Sequence, residues 1–216
     1  MKSVIFDLDG TLVDSQPLQF LAYKKAFNEI GLKLSWEEWK EYWVKSSIDA
    51  YEWATLKKLH YNVEHVRNRK KEIYEKLIKN NLKAKPGAIS LVKELRKNGF
   101  KLAVASSSRI ESIKLIVDIL FGQTFDVLQS DTELGKRKPH PEIFLITMKK
   151  MNASPSETVI IEDSVGGYKA AVSSGAICVI CPDKTVGCNY NFPQAKKIIS
   201  SLRDINSEEI MNLINK

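Results

Sequence analysis

Residues 4–11 read Val-Ile-Phe-Asp-Leu-Asp-Gly-Thr, VIFDLDGT: three apolar residues running straight into two aspartates one residue apart, then a glycine. Val4, Ile5 and Phe6 have the composition of a short buried strand. A strand sends residues i and i+2 to the same side, so Asp7 and Asp9 leave its end together. Two carboxylates that close repel unless a cation or a shared proton relieves them. The plain alternative is a strand ending in a solvated turn, with Asp9-Gly10 as ordinary turn chemistry. The rest of the chain decides between the two.

The segment that follows has a different texture. Between Leu18 and Lys85 there is no proline and one glycine, Gly31, and all four tryptophans lie there. Trp36, Trp39 and Trp43 fall at i, i+3 and i+7, the spacing of one helix face. Ser35 followed three residues later by Glu38 reads as a capping box. Residues 50–80 are also helical in composition. We therefore expect an all-helical insertion over residues 15–83. Its aromatic face is read as packing, with a sugar-stacking wall as the alternative.

Beyond it the rhythm changes. Pro86-Gly87 breaks the chain, and an amphipathic helix runs from there to the Asn98-Gly99 stop. Apolar runs then alternate with helical patterns: KLAVA (101–105), FDVLQ (125–129), TVIIE (158–162) and AICVI (176–180). Strands separated by helices predict a parallel sheet with helices on both faces. The expected fold class is α/β, a Rossmann-like core of residues 1–14 and 84–216 carrying a helical cap at 15–83.

Several of these runs end in polar residues: Asp7 and Asp9, then Ser106, Ser107 and Ser108, then Ser130-Asp131, then Glu162-Asp163-Ser164. An open parallel sheet binds ligands beyond the carboxyl ends of its strands. Asp7, Asp9 and Asp163 are therefore expected to converge, with a hard cation such as Mg²⁺ relieving their repulsion. GKRKPHPEIF (135–144) supplies a positive side chain, Lys138, just before a rigid Pro-His-Pro segment. A lysine beside a cation and hydroxyl donors suits an anionic phosphoryl group. Lys136 competes with it, and simple surface charge is the plain reading of either.

In this order the residues resemble the haloacid dehalogenase-like hydrolase superfamily, mostly phosphatases, through about Lys184. The motifs are Asp7-Leu8-Asp9-Gly10-Thr11, Ser106 after a hydrophobic strand, Lys138 before Pro-x-Pro, and the acidic pair Glu162-Asp163. The helical insertion after the first motif resembles the family's helical-cap subclass. Asp14-Ser15 before Pro17 looks like its β-phosphoglucomutase and sugar-phosphate phosphatase branch. The resemblance implies Asp7 as nucleophile forming an aspartyl-phosphate and Asp9 as general acid and base. It implies phosphate binding by Ser106, Ser107 and Lys138, and a Mg²⁺ site of Asp7, the Asp9 carbonyl and Asp163, aided by Glu162. β-Phosphoglucomutases place a histidine at the position of Gln19 and a Gly-x-Ser-Arg stretch where this chain has Lys45-Ser46-Ser47-Ile48. That departure favours hydrolysis of a small phosphorylated metabolite, such as a sugar or polyol phosphate, over isomerisation. The rivals are a phosphomutase and a non-catalytic phosphate- or nucleic-acid-binding protein.

Bulk properties agree with an enzyme of this kind. The 216 residues are 44% hydrophobic and 27% charged, ordinary for a globular protein. No apolar run is long enough for a membrane span, and Asp7 and Asp9 interrupt any leader-like pattern at once. Cys178, Cys181 and Cys188 do not suggest a disulfide scaffold. Cys178 and Cys181, three apart on one strand, face opposite sides and read as structural. His60, His65 and His140 show no metal-ligand spacing with them. The formal charge of +7 is uneven: residues 15–85 hold fifteen Lys and Arg against nine Asp and Glu. We read this as a solvated helix surface or an attraction for anionic metabolites, without a nucleic-acid motif. A monomeric cytoplasmic protein, with no nucleic-acid or membrane partner, is expected.

Overall fold

The computed structural model describes residues 2–46, 48, 50–187 and 190–215. Val4, Ile5 and Phe6 are wholly buried because their strand, β1 (Ser3–Phe6), lies inside a sheet covered on both faces. The other strands are β2 (Lys101–Ser106), β3 (Val127–Ser130), β4 (Thr158–Glu162), β5 (Ile177–Ile180) and β6 (Lys197–Ile198). The sheet order is β3-β2-β1-β4-β5-β6, and every neighbouring pair is parallel. β6 was not expected from the sequence; two residues carry no readable period.

The chain divides into two compact units, Met1–Asp14 with Lys83–Lys216, and Ser15–Leu82. In the first, helices α5 (Ala88–Lys97), α6 (Ile110–Leu120), α7 (Glu142–Met151), α8 (Val165–Ser173) and α9 (Ser207–Ile214) accompany the sheet. Alternate strand residues Ile5, Ala103, Ala105, Ile160, Cys178 and Ile180 form one core with Ile143, Phe144 and Met148 of α7 and Tyr168 of α8. Val4, Phe6, Leu102, Val104, Val159 and Ile161, on the opposite pleat, are equally buried. The unit resumes at Lys83, one residue before the boundary read from the sequence. There Asp14 N donates to the Lys83 carbonyl at 2.9 Å and Val13 bridges to Ala84.

The second unit is helical: α1 (Gln16–Asn28), α2 (Trp36–Trp39), a π-helical turn (Lys40–Lys45), α3 (Ala50–Leu56) and α4 (Val63–Asn81). The capping box is present, with Glu38 N donating to Ser35 Oγ at 3.1 Å and Ser35 N to Glu38 Oε2 at 3.2 Å. The tryptophan face does not stay on one α-helix as expected. At the π turn Ser46 N reaches back five residues to Glu41 O, and the wider turn stacks Trp39 on Trp43 with ring centroids 5.1 Å apart. Phe27, Trp39 and Trp53 are buried, and Phe27 and Trp53 lie 4.7 Å apart. These rings pack against one another as core. Ser47, within the stretch compared with the mutases, and Cys188 lie outside the described residues.

Candidate active site

The order of the strands creates the place where the polar residues meet. After β1 the chain builds outward through β2 and β3, then returns to the other side of β1 with β4. Strands diverging in this way open a crevice at their carboxyl ends. Phe6 pairs with Val104 on one side and Ile161 on the other, and Asp7 N extends the ladder to Ile161 O at 2.9 Å. Asp7 is thereby set level with Glu162.

Lys138 joins the two strands' acids. Its Nζ donates to Asp7 Oδ1 at 2.7 Å, to Glu162 Oε1 at 2.6 Å and to the Ala105 carbonyl at 3.0 Å. Lys136, the competing lysine, is exposed. The other oxygen of Glu162 accepts from Asp163 N at 3.1 Å, Ser164 N at 3.3 Å and Ser164 Oγ at 3.1 Å. Both oxygens of this wholly buried carboxylate are therefore engaged. The virtual Cβ of Gly167 falls 1.9 Å from Glu162 Cδ, so only glycine lets α8 approach so closely. Burial favours the neutral amine of Lys138, yet the charges of Asp7 and Glu162 outweigh it and hold the ammonium above its usual range.

The Asp9 carboxylate has serine partners. Its Oδ2 accepts from Ser106 Oγ at 3.1 Å and Ser108 Oγ at 2.6 Å, while Ser108 N donates to Ser106 Oγ at 3.0 Å. Ser107 turns its hydroxyl elsewhere, donating to Asp131 Oδ2 at 2.6 Å. Asp131, fully buried, also accepts from Lys138 N at 3.3 Å and Arg137 Nε at 3.1 Å. It thus ties the serine loop after β2 to the loop carrying Lys138.

Asp7, Glu162 and Asp163 each present an oxygen, all within 4.8 Å of one another and all buried. Asp163 Oδ1 accepts from Thr11 Oγ1 at 3.0 Å. Burial, then the charges of Asp7, Glu162 and Asp183, raise the Asp163 carboxyl well above the ordinary range. Burial is also the main cause at Asp7, raising its carboxyl against the opposing pull of Lys138, with the charges of Glu162 and Asp9 adding to the rise. Hard oxygen donors under mutual repulsion, with no nitrogen or sulfur among them, fit Mg²⁺.

Ser108 and Asp183 escaped the sequence reading. Ser108 was visible as the third serine of its run, but its direction toward Asp9 was not. Asp183 obeys the same rule as the other site residues, standing just past a strand, yet Cys181 and Pro182 separate it from β5. Cys178 and Cys181 are buried free thiols, pushed up to about 12 and about 11 mainly by burial. They take no part in the acidic group.

Comparison with known proteins places the chain in a family. The family model for haloacid dehalogenase-like hydrolases matches residues 1–175. The β-phosphoglucomutase of Bacillus subtilis is 31% identical over 192 residues, covering 83% of this chain and 82% of that protein. The phosphorylated carbohydrates phosphatase of Thermotoga maritima is 25% identical over 235 residues, covering 100% of this chain and 99% of that protein. The crystal structure of CbbY from Rhodobacter sphaeroides in complex with phosphate superposes with a TM-score of 0.84 at 23% identity, over 94% of this chain and 95% of that one. The motif-bearing strand ends, the sheet that gathers them and these matches lead to one statement: the chain belongs to the haloacid dehalogenase-like hydrolases.

Proposed function

We propose that this protein is a Mg²⁺-dependent phosphatase that hydrolyses a small phosphorylated metabolite, a sugar or polyol phosphate, through an aspartyl-phosphate on Asp7. The observation that carries the reading is the pairing of Lys138 with Asp7 at 2.7 Å inside a buried acidic group at the sheet's carboxyl edge. The Mg²⁺ would be held by Asp7, Asp163 and the Asp9 carbonyl, and when bound it offsets the repulsion between the Asp7 carboxylate and an anionic phosphate.

In the first stage an Asp7 oxygen bonds to phosphorus as the ester P–O bond breaks, and Asp9 gives its proton to the leaving oxygen. In the second, Asp9 takes a proton from water, whose oxygen displaces Asp7 from phosphorus. The hydroxyls of Ser106 and Ser108 aim the Asp9 carboxylate. The ammonium of Lys138, with Ser106 nearby, neutralises phosphoryl charge. Glu162 keeps Lys138 in place, and Asp131 sets the loop positions of Ser107 and Lys138.

The names of the relatives support the substrate class, one being a phosphatase of phosphorylated carbohydrates. Two free buried thiols suit a reducing compartment, which supports a cytoplasmic location. Among the described residues no helix is long and apolar enough to cross a membrane. The test is phosphate release across a panel of phosphoesters, with Mg²⁺ and with EDTA. Release from at least one sugar or polyol phosphate, abolished by EDTA, is expected; no release from any phosphoester would overturn the reading.

A further inference from the structure

Asp183 stands just beyond β5 and is 2% exposed. Its Oδ1 accepts from Lys85 Nζ at 2.8 Å and from Thr185 N at 3.0 Å. Its Oδ2 is buried and has no hydrogen-bond partner among the described residues. A buried carboxylate oxygen left without a donor is costly, and sites retain such an oxygen when a ligand supplies what is missing.

Gly10 shows where that oxygen faces. The position a Gly10 Cβ would occupy lies 2.3 Å from Asp163 Oδ2 and 3.1 Å from Asp183 Oδ2. The two oxygens thus look onto the same small space, which a glycine at φ +99° leaves open. Asp163 is itself one of the three acids whose oxygens cluster at the site. Asp183 is not in that group, so no oxygen of its carboxylate lies within 4.8 Å of the clustered oxygens of all three. A cation bonded directly to both Asp7 and Asp183 would need their oxygens no more than about 4 Å apart, twice the Mg–O bond length. A water carried by the cation spans a longer gap.

We propose that Asp183 is a further residue of the cation site, its Oδ2 accepting from a water in the hydration shell of the Mg²⁺ held at Asp163. Mg²⁺ keeps several of its waters, and acceptors outside the direct ligands set metal affinity by about 10–100-fold. Lys85 occupies Oδ1 and so leaves Oδ2 for this task. The proposal rests on the reading of the site as a Mg²⁺ site, and its test separates the two.

Metal-stripped protein is titrated with Mg²⁺ by calorimetry as wild type, Asp183→Asn, Asp163→Ala and Lys85→Met, each checked for folding by circular dichroism. Asp183→Asn is expected to weaken Mg²⁺ binding about tenfold. Lys85→Met breaks the same ion pair but leaves the carboxylate, so it should lose stability and keep its affinity; a merely structural ion pair would make the two variants alike. If Asp183→Asn folds poorly, Asp183→Ser carries the same expectation. Wild-type affinity in a folded Asp183 variant, beside loss of binding in Asp163→Ala, overturns the role of Asp183 alone. No Mg²⁺ binding by the wild type overturns this proposal and the metal reading together.

Discussion

The ammonium of Lys138 lies 2.7 Å from Asp7 Oδ1, with the two side chains only 7% and 9% exposed. The same ammonium meets Glu162, whose side chain is wholly buried. Removing one partner of a buried pair strands the other's charge, at about 3–5 kcal/mol. Lys138→Met should therefore lose unfolding free energy in that range by urea titration, and should lose phosphate release. A variant as stable as wild type would contradict the pairing.

Gly167 and Gly166 make a matched pair. A Cβ on Gly167 would fall 1.9 Å from Glu162 Cδ, whereas one on Gly166 meets nothing within 4 Å. Both lie in α8, where alanine is worth up to about 1 kcal/mol over glycine. Gly166→Ala should melt at or above the wild-type temperature with full activity. Gly167→Ala should melt lower and lose most of its turnover, because Glu162 must leave Lys138. Equal behaviour of the two in melting and phosphate assays would refute the account of Glu162.

The thiols give a prediction in pH. Cys178 and Cys181 are pushed up to about 12 and about 11 by burial, which disfavours the thiolate. At pH 8 the reactive form is then scarce at both positions and becomes common only well into alkaline solution. Peptide mapping after iodoacetamide at pH 8 should find both unmodified in native protein and modified in guanidinium. Rapid native labelling of either would contradict their burial.

How much of this was legible in the sequence depends on the kind of constraint. Strands buried on both faces must be apolar throughout, so β1, β2, β4 and β5 announce themselves, and the acids just past Phe6 and Ile161 follow from chain order. The direction of a side chain beyond a strand end is set by neighbours far along the chain. Ser107 turning to Asp131, Ser108 turning to Asp9 and Lys138 meeting Glu162 as well as Asp7 all belong to that class. The π turn at Lys40–Lys45 was hidden because Trp36, Trp39 and Trp43 satisfy the α-helical period equally well. The two residues of β6 are too few to show any period.

Hydrolysis rather than isomerisation is the outcome expected from the helical unit. Gln19, where the mutases carry a histidine, is an amide without acid–base chemistry and accepts from Lys70. Ile48 offers no donor for a second phosphate, and Lys45, exposed, pairs with Glu41 at 3.1 Å without the bidentate reach of an arginine. Given β-glucose 1-phosphate with glucose 1,6-bisphosphate, the protein should release inorganic phosphate and form little glucose 6-phosphate. Rapid formation of glucose 6-phosphate with little free phosphate would make it a mutase.

If Asp7 takes the phosphoryl group, the enzyme can be caught in that state. Protein turning over a phosphoester that it hydrolyses is quenched in acid, digested, and mapped by mass spectrometry. A phosphoryl adduct is expected on the peptide bearing Asp7, labile to hydroxylamine, and absent from an Asp7→Asn variant that is folded but inactive. Turnover by well-folded Asp7→Asn, or an adduct located on any other residue, would contradict it.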